Sequence, residues 1–386
     1  MPHVDVTATL DPCAGIARDV QVIAPEGVDR PLWTVAVDVG IGDRRDDEAP
    51  LDITWVGAAG LRRAGTMVRA AGESIERVAL SMEGDMLVDK AMPWAPRGAS
   101  WASGAESDDA PSYHAVTLAE GVRAPTRVPA SAVDYPPVGE SSFVDPGPSG
   151  TAAGLGHAMA LQSAAKETVE RDAAMRAWYE PRRAHRIPAR VWHGAAPEVQ
   201  RVVDALGSEG VDVSCFTLDA AGDVQVLLAL AIDHANGVVG AGLGLEPLAS
   251  QSVVRAVQEA LQIRTLLIDL RRYGDTAQVR FPIEREIDRA RYWSGPEAVP
   301  TALQWVQQTD EFRGPSLRTG GVNDWVSLLD TYTFIDLTER LPEKIRELGW
   351  SVVRLFSPTL QPLRMSEALG WNLAQKIITI APHPYI

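Results

Sequence analysis

The chain has 386 residues, 46% hydrophobic and 23% charged, a balance that excludes a wholly disordered polypeptide and suits one large core or two to three smaller lobes. A formal net charge of −15 makes the surface repel phosphate backbones, which argues against nucleic acid as a general partner. Cys13 and Cys215 stand far apart without a CxxC or Cys/His cluster, so neither a disulfide framework nor a structural zinc site is expected.

In chain order, the opening MPHVDVTATL lacks a basic n-region and an apolar h-region, so no signal peptide is read there. A strand is predicted over 33–39, followed by an acidic loop over 42–49. A strand over 53–56 leads into a helix over 66–80. Residues 92–112 lack periodicity and are rich in Pro, Gly, Ser and Ala, as a surface loop requires. The strand over 114–118 is followed by a second Pro- and Gly-rich loop over 136–150. Helices are expected over 159–178 and 198–206, and strands over 211–218 and 224–232. The run at 224–232 is the most apolar of the chain, yet it falls short of the roughly twenty residues a membrane helix needs. Helices over 250–270 and 341–348 and a strand over 352–356 complete the pattern. Without a regular βαβ alternation, the reading is α+β, with helices packed on mostly antiparallel sheets. A cytoplasmic setting away from membranes is expected.

The most informative signal is a loose internal repeat. Gly57-Ala-Ala-Gly60 leads into a helix with Glu73, Glu76 and Arg77. Ala152-Ala-Gly154-Leu-Gly156 leads into Glu167, Glu170 and Arg171, with the same spacing from the glycine at 60 or 154 to the first glutamate. A weaker copy starts at Ala241-Gly-Leu-Gly244 and leads into Glu259 and Gln262. Ala70, Ala164 and Ala256 each precede the first glutamate by three positions. Glutamates at i and i+3 share a helix face, and Mg²⁺ at nucleotide sites takes carboxylates together with phosphate oxygens. The adjacent arginines suit phosphate charge. A single such helix would read as solvated surface, but equal glycine lead-ins in two copies point to a built site.

These residues resemble the YcaO family. Its E-x-x-E-R helix is matched by AAGESIERVALS at 70–81, and its second block by Pro148-Ser-Gly-Thr-Ala-Ala-Gly154 with Lys166-Glu-Thr-Val-Glu-Arg-Asp172. Its A-x-x-E-x-x-Q-x-R block is matched by Ala256, Glu259, Gln262 and Arg264. Asp11-Pro-Cys-Ala-Gly-Ile16 resembles the family's start, and Pro382-His-Pro-Tyr-Ile386 its Pro-rich tail. The family offers polar or acidic groups where Ala152, Leu155 and Met159 stand.

The resemblance implies a single YcaO-type domain over 1–386, divisible into an N-terminal lobe over 1–135 and a core over 136–386. It implies Mg²⁺ on Glu73, Glu76, Glu167 and Glu170, and ATP near Arg77, Arg171, Glu259, Gln262 and Arg264. It also implies ATP-dependent activation of backbone amides in a ribosomally made precursor peptide, with azoline formation at Cys, Ser or Thr. Thioamide or macroamidine formation by the same activation is an alternative. A catalytically weakened scaffold that binds peptide or a partner is another, motivated by Ala152, Leu155 and Met159. A separate leader-binding protein is the expected partner, and a homodimer is left open. In azoline-forming relatives the tail brings the terminal carboxylate into the active site, which would make Ile386 a general base on a segment stiffened by Pro382 and Pro384. A frayed terminus is the competing expectation.

Other signals are weaker. The seven histidines, at 3, 114, 157, 185, 193, 234 and 383, show no metal-type i, i+4 pair, and neither G-x-S-x-G nor a P-loop occurs. Gly240-Ala-Gly-Leu-Gly244 fails the G-x-G-x-x-G spacing of a dinucleotide loop. Trp178, at the end of the second glutamate helix, is expected in the core.

Overall fold

The computed structural model describes residues 4–40, 55–81, 92–96, 110–136, 145, 147–222, 224–274, 278–314, 316–317, 324–367 and 381–385. The chain opens with α1 (Val6–Thr9), β1 (Asp19–Ile23), β2 (Trp33–Asp38), β3 (Trp55–Gly60) and α2 (Arg63–Ser81). Next come β4 (Ser112–Ala119), β5 (Val122–Pro129), α3 (Ala130–Val133), β6 (Thr151–Leu155) and α4 (His157–Tyr179). The middle holds β7 (Ala184–Arg186), α5 (Ala189–Ala195), α6 (Pro197–Gly207), β8 (Val211–Leu218), β9 (Val226–Asp233), β10 (Val238–Gly244) and α7 (Ala249–Tyr273). The last part adds α8 (Glu286–Trp293), α9 (Ala298–Gln307), β11 (Asp310–Glu311), β12 (Thr331–Asp336), α10 (Glu343–Glu347) and β13 (Trp350–Phe356).

Among the described residues the strands form three sheets, with orders β1-β2-β3, β10-β9-β8-β7-β11 and β5-β4-β12-β13-β6. Among the described strands every pairing is antiparallel except β7 with β11. The α+β expectation is met. No helix among the described residues is long and apolar enough to cross a membrane.

Each copy of the sequence repeat is a strand running into a helix: β3 into α2, β6 into α4 and β10 into α7. Each helix lies on its own strand and also touches the strand of another copy, α2 on β6, α4 on β10 and α7 on β3. The three units therefore close into a ring. Side chains fasten two of these junctions directly. Glu76 on α2 accepts the Ala153 N–H of β6 at 2.7 Å. Gln262 on α7 accepts the Ala59 N–H of β3 at 2.8 Å and donates to Gly57 O at 3.3 Å. Gln258 accepts the Leu61 N–H just beyond β3 at 2.9 Å.

The glycine lead-ins are largely strand, and the reason is close approach. In β10, Gly240, Gly242 and Gly244 alternate with Ala241 and Leu243, so from Gly240 onward one face of the strand carries no side chains. A Cβ on Gly242 would lie 2.3 Å from both Ala256 O and Ala260 N, and one on Gly244 would lie 2.1 Å from Ser252 O. Helix α7 rests directly on that face. The same logic brings α4 onto β6, where a Cβ at Gly154 would meet Ala160 N at 2.5 Å.

Helix α4 is alanine-rich and buried on several faces, because it runs between the sheet of β6 and β13 and that of β8, β9 and β10. At its end Trp178 is fully buried, stacked on Trp305 at 5.3 Å and edge-on to Trp293 at 5.5 Å. The predicted loops over 92–112 and 136–150 fall mostly outside the described residues.

Candidate functional site

The ring brings the inner faces of α2, α4 and α7 together. Glu73 and Glu76 come from α2, Glu167 and Glu170 from α4, and Glu259 from α7. Burial holds the Glu76 carboxyl well above the usual carboxylate range, with the charges of Glu73 and Glu167 adding to it. Burial likewise raises Glu167, with Arg171 and Arg255 pulling against it and the charges of Glu170 and Glu73 adding to it. Glu259 is raised by burial too, although Arg171 and Arg255 draw it down and the Leu243 N–H donates to it at 3.1 Å. Five carboxylates from three helices thus share one field.

Glu170 is the outlier. It is 1% exposed, and neither carboxylate oxygen has a hydrogen-bond partner. A buried anion without hydrogen bonds is normally costly and calls for a bound cation or a catalytic role.

The arginines divide. Arg171 donates to Glu167 at 3.4 Å and lies 3.9 Å from Glu259, so it bridges α4 and α7 inside the cluster. Arg77 donates to Glu73 at 2.8 Å and sits 5.7 Å above the ring of Tyr135, whose hydroxyl donates to Glu286. Gln262 lies on the same helix as Glu259, but both atoms of its amide are taken by β3.

Arg264 departs from expectation. It is 1% exposed and donates to Asp233 at 2.6 and 2.9 Å and to Val28 O at 2.7 Å, so it ties α7 to β9 rather than facing the glutamates. Its i+2 offset from Gln262 carries it to another face of the helix. Arg264→Met should cost about 3–5 kcal/mol, because Asp233 is left buried without its counter-charge, while nucleotide affinity of the folded fraction stays unchanged. Burial pushes Asp233 up, but hydrogen bonds from Asn236 and Arg264 outweigh it and leave its carboxyl below the ordinary value. The stabilisation is therefore present above the unfolded value, near pH 4, and is lost as pH falls through the lower folded value. Melting curves of wild type and variant should converge on acidification through that range.

Three cations at the site were not foreseen. Lys166 and Arg255 both meet Glu246, at 2.8 and 3.0 Å, just beyond β10. Burial pushes Glu246 up, yet these two cations hold it below the usual range. Arg255 is also raised by Glu170, Glu246 and Glu259 against its own burial. Arg69 donates to Ala59 O, and burial and Arg255 lower it. The one sequence signal for Arg255 was its i, i+4 relation to Glu259. Of the family departures, Ala152 is buried, while Met159 is half exposed at the start of α4. Ile386 lies outside the described residues, whereas Ala381–Tyr385 is embedded in the core.

Among the described residues no three His, Cys, Asp or Glu side chains form a ready-made cation cage. Mg²⁺ at nucleotide sites keeps waters and takes one or two carboxylates plus phosphates rather than an all-protein cage. Hard oxygen donors flanked by Arg171, Arg255 and Lys166, with Glu170 unpartnered, fit a magnesium-bound polyphosphate. A cavity of about 860 Å³ lies elsewhere, at the β7–β11 edge, lined by His185, Asp219, Phe312 and Arg313 among others. No member of the glutamate cluster lines it.

The family model for YcaO cyclodehydratase, ATP- and Mg²⁺-binding, matches residues 58–361. No curated protein matches the sequence. The fold is similar to YcaO from Methanopyrus kandleri bound with AMPPCP and Mg²⁺, at 21% identity and TM-score 0.64, covering 97% of this chain and 93% of that one. It is also similar to a heterocyclase in complex with substrate and cofactor, at 14% identity and TM-score 0.72. That match covers 99% of this chain but 57% of the heterocyclase. The E. coli microcin synthetase McbBCD complex with pro-MccB17 bound gives 16% identity and TM-score 0.62, covering 88% of this chain and 87% of that one. Sequence motifs, the ring of three strand–helix units and the match over 58–361 agree: the chain belongs to the YcaO family of ATP- and Mg²⁺-binding enzymes.

Proposed function

We propose that the chain uses ATP and Mg²⁺ to activate backbone amides of a ribosomally made precursor peptide and closes Cys, Ser or Thr side chains into azolines. The observation that carries the ATP and Mg²⁺ part is Glu170, buried with both oxygens unpartnered among the other glutamates. Glu73, Glu76, Glu167 and Glu170 would hold two or more magnesium ions, one or two carboxylates to each, with Glu76 offering its one oxygen not bonded to Ala153. Arg171 would meet phosphate charge once Glu167 turns to the metal, with Arg255 and Lys166 adding positive charge beside it. When bound, the magnesium nucleotide supplies a phosphoryl group to the amide oxygen, which then leaves as phosphate. The protein's own part is positioning and fixed charge, so no enzyme nucleophile is required.

Glu73→Gln and Glu167→Gln should each reduce ATP-dependent turnover at least tenfold while the fold stays intact. Phosphate release with precursor peptide checks the first effect and thermal melting the second. Full activity in both variants would remove the carboxylates from the site. Peptide mass separates thioamide formation, which exchanges oxygen for sulfur, from azoline and macroamidine formation, which both lose water; fragmentation of the peptide then separates those two. A separate leader-binding partner is part of the proposal, and the similar E. coli synthetase is itself a complex. The half-exposed Met159 favours a second reading, a weakened scaffold that binds nucleotide and peptide without turnover. Binding without phosphate release, in the presence of partner and peptide, would select it.

A further inference from the structure

The embedded end of the chain brings a further polar group to the site. Ala381 O accepts from Trp178 Nε1 at 3.1 Å, and His383 O accepts from Trp293 Nε1 at 3.0 Å and from Arg289 at 3.2 Å. His383 Nε2 lies 2.7 Å from Arg364 O, and the Tyr385 N–H reaches His383 Nδ1 at 3.3 Å. The segment is thus fixed on both sides of Tyr385's neighbours.

Tyr385 itself is 4% exposed, and its hydroxyl has no hydrogen-bond partner. The charges that act on that hydroxyl are those of Arg171 and Glu259, one from α4 and one from α7. Packing alone would be served by phenylalanine, since a buried phenol normally finds a partner. The cluster around Arg171 therefore holds an unpartnered donor, Tyr385 Oη, and an unpartnered acceptor pair, the oxygens of Glu170. These two have not paired with each other. A ligand that satisfies both must present a cation to the carboxylate and an anionic oxygen to the phenol. A magnesium-bound phosphate presents both.

We propose that Tyr385 is a ligand-contacting residue whose hydroxyl donates a hydrogen bond to a phosphate oxygen of the bound nucleotide beside Arg171. This rests on the ATP and Mg²⁺ reading above. Tyr385→Phe removes the oxygen and keeps the ring. Calorimetric titration with the non-hydrolysable analogue AMPPCP and Mg²⁺ should show affinity about ten- to a hundredfold weaker than wild type. The ligand-free variant should melt at or above the wild-type temperature, because it loses a buried group that had no partner.

Unchanged affinity in the variant, with wild type binding normally, overturns the tyrosine assignment and leaves the nucleotide reading intact. A drop in the ligand-free melting temperature makes the hydroxyl a structural group and also overturns it. Unchanged nucleotide affinity with a raised KM for peptide would place the hydroxyl against the peptide and sink the phosphate assignment. Failure of wild type itself to bind AMPPCP and Mg²⁺ would remove both this proposal and the function it rests on.

Discussion

Glu170→Gln is expected to weaken magnesium-nucleotide binding by about a hundredfold or more, while the ligand-free protein melts within a few degrees of wild type. Removing one member of a buried ionic network usually costs about 3–5 kcal/mol, so small loss of stability would be informative in itself. The reason lies in what Glu170 touches. It has no hydrogen bond to lose. Its charge repels Glu167 and Glu259 and attracts Arg171 and Arg255, so neutralising it removes contributions of both signs. In the bound state nothing offsets the missing ligand oxygen. Isothermal titration and thermal melting of the same sample check the pair of outcomes. A collapse in melting temperature with binding retained would make Glu170 a structural anion for Arg255.

Gly242→Ala should be among the most damaging single-methyl additions in the chain, costing on the order of 3 kcal/mol or more. The new Cβ would stand 2.3 Å from Ala256 O and from Ala260 N and 2.7 Å from Glu259 Cβ. Two of these are helix backbone atoms, so α7 must lift off β10. That movement breaks the Leu243 N–H bond to Glu259 and the Gln262 bonds to β3 together. Nucleotide affinity should therefore fall alongside a melting temperature lowered by about 4 °C or more. Gly65→Ala, where a Cβ in α2 meets nothing within 4 Å, should instead stabilise by about 0.5–1 kcal/mol. Equal behaviour of the two variants would refute the close-approach account.

Periodicity made the long elements legible. The helix read over 159–178 is α4 (His157–Tyr179), and the strand read over 211–218 is β8 (Val211–Leu218). The strands β6 and β10 stayed hidden because their alanines and glycines have low β-propensity. Those residues are there for helix contact, which no local pattern displays. The same limit applies to the site. Glu73, Glu167 and Glu259 were visible because each repeats after a glycine lead-in. Arg264 looked like part of that motif, but its partner Asp233 lies on a distant strand and only the fold discloses the pair. Glu246 lies beyond the glycine lead-in and outside the glutamate helices, and nothing local marks it as a neighbour of Lys166 and Arg255.

The ring of three strand–helix units also bears on the order in which the molecule forms. Each unit is contiguous in sequence, so β3 with α2, β6 with α4 and β10 with α7 meet early by short loop closure. The contacts that join one unit to another span long stretches of chain and come late. Until the third unit docks, the glutamates are ordinary solvated side chains with no special affinity for a hard cation. Capture of the ligand is then a property of the closed ring alone, and a ligand that binds only the closed ring adds its binding free energy to the docking of the last unit.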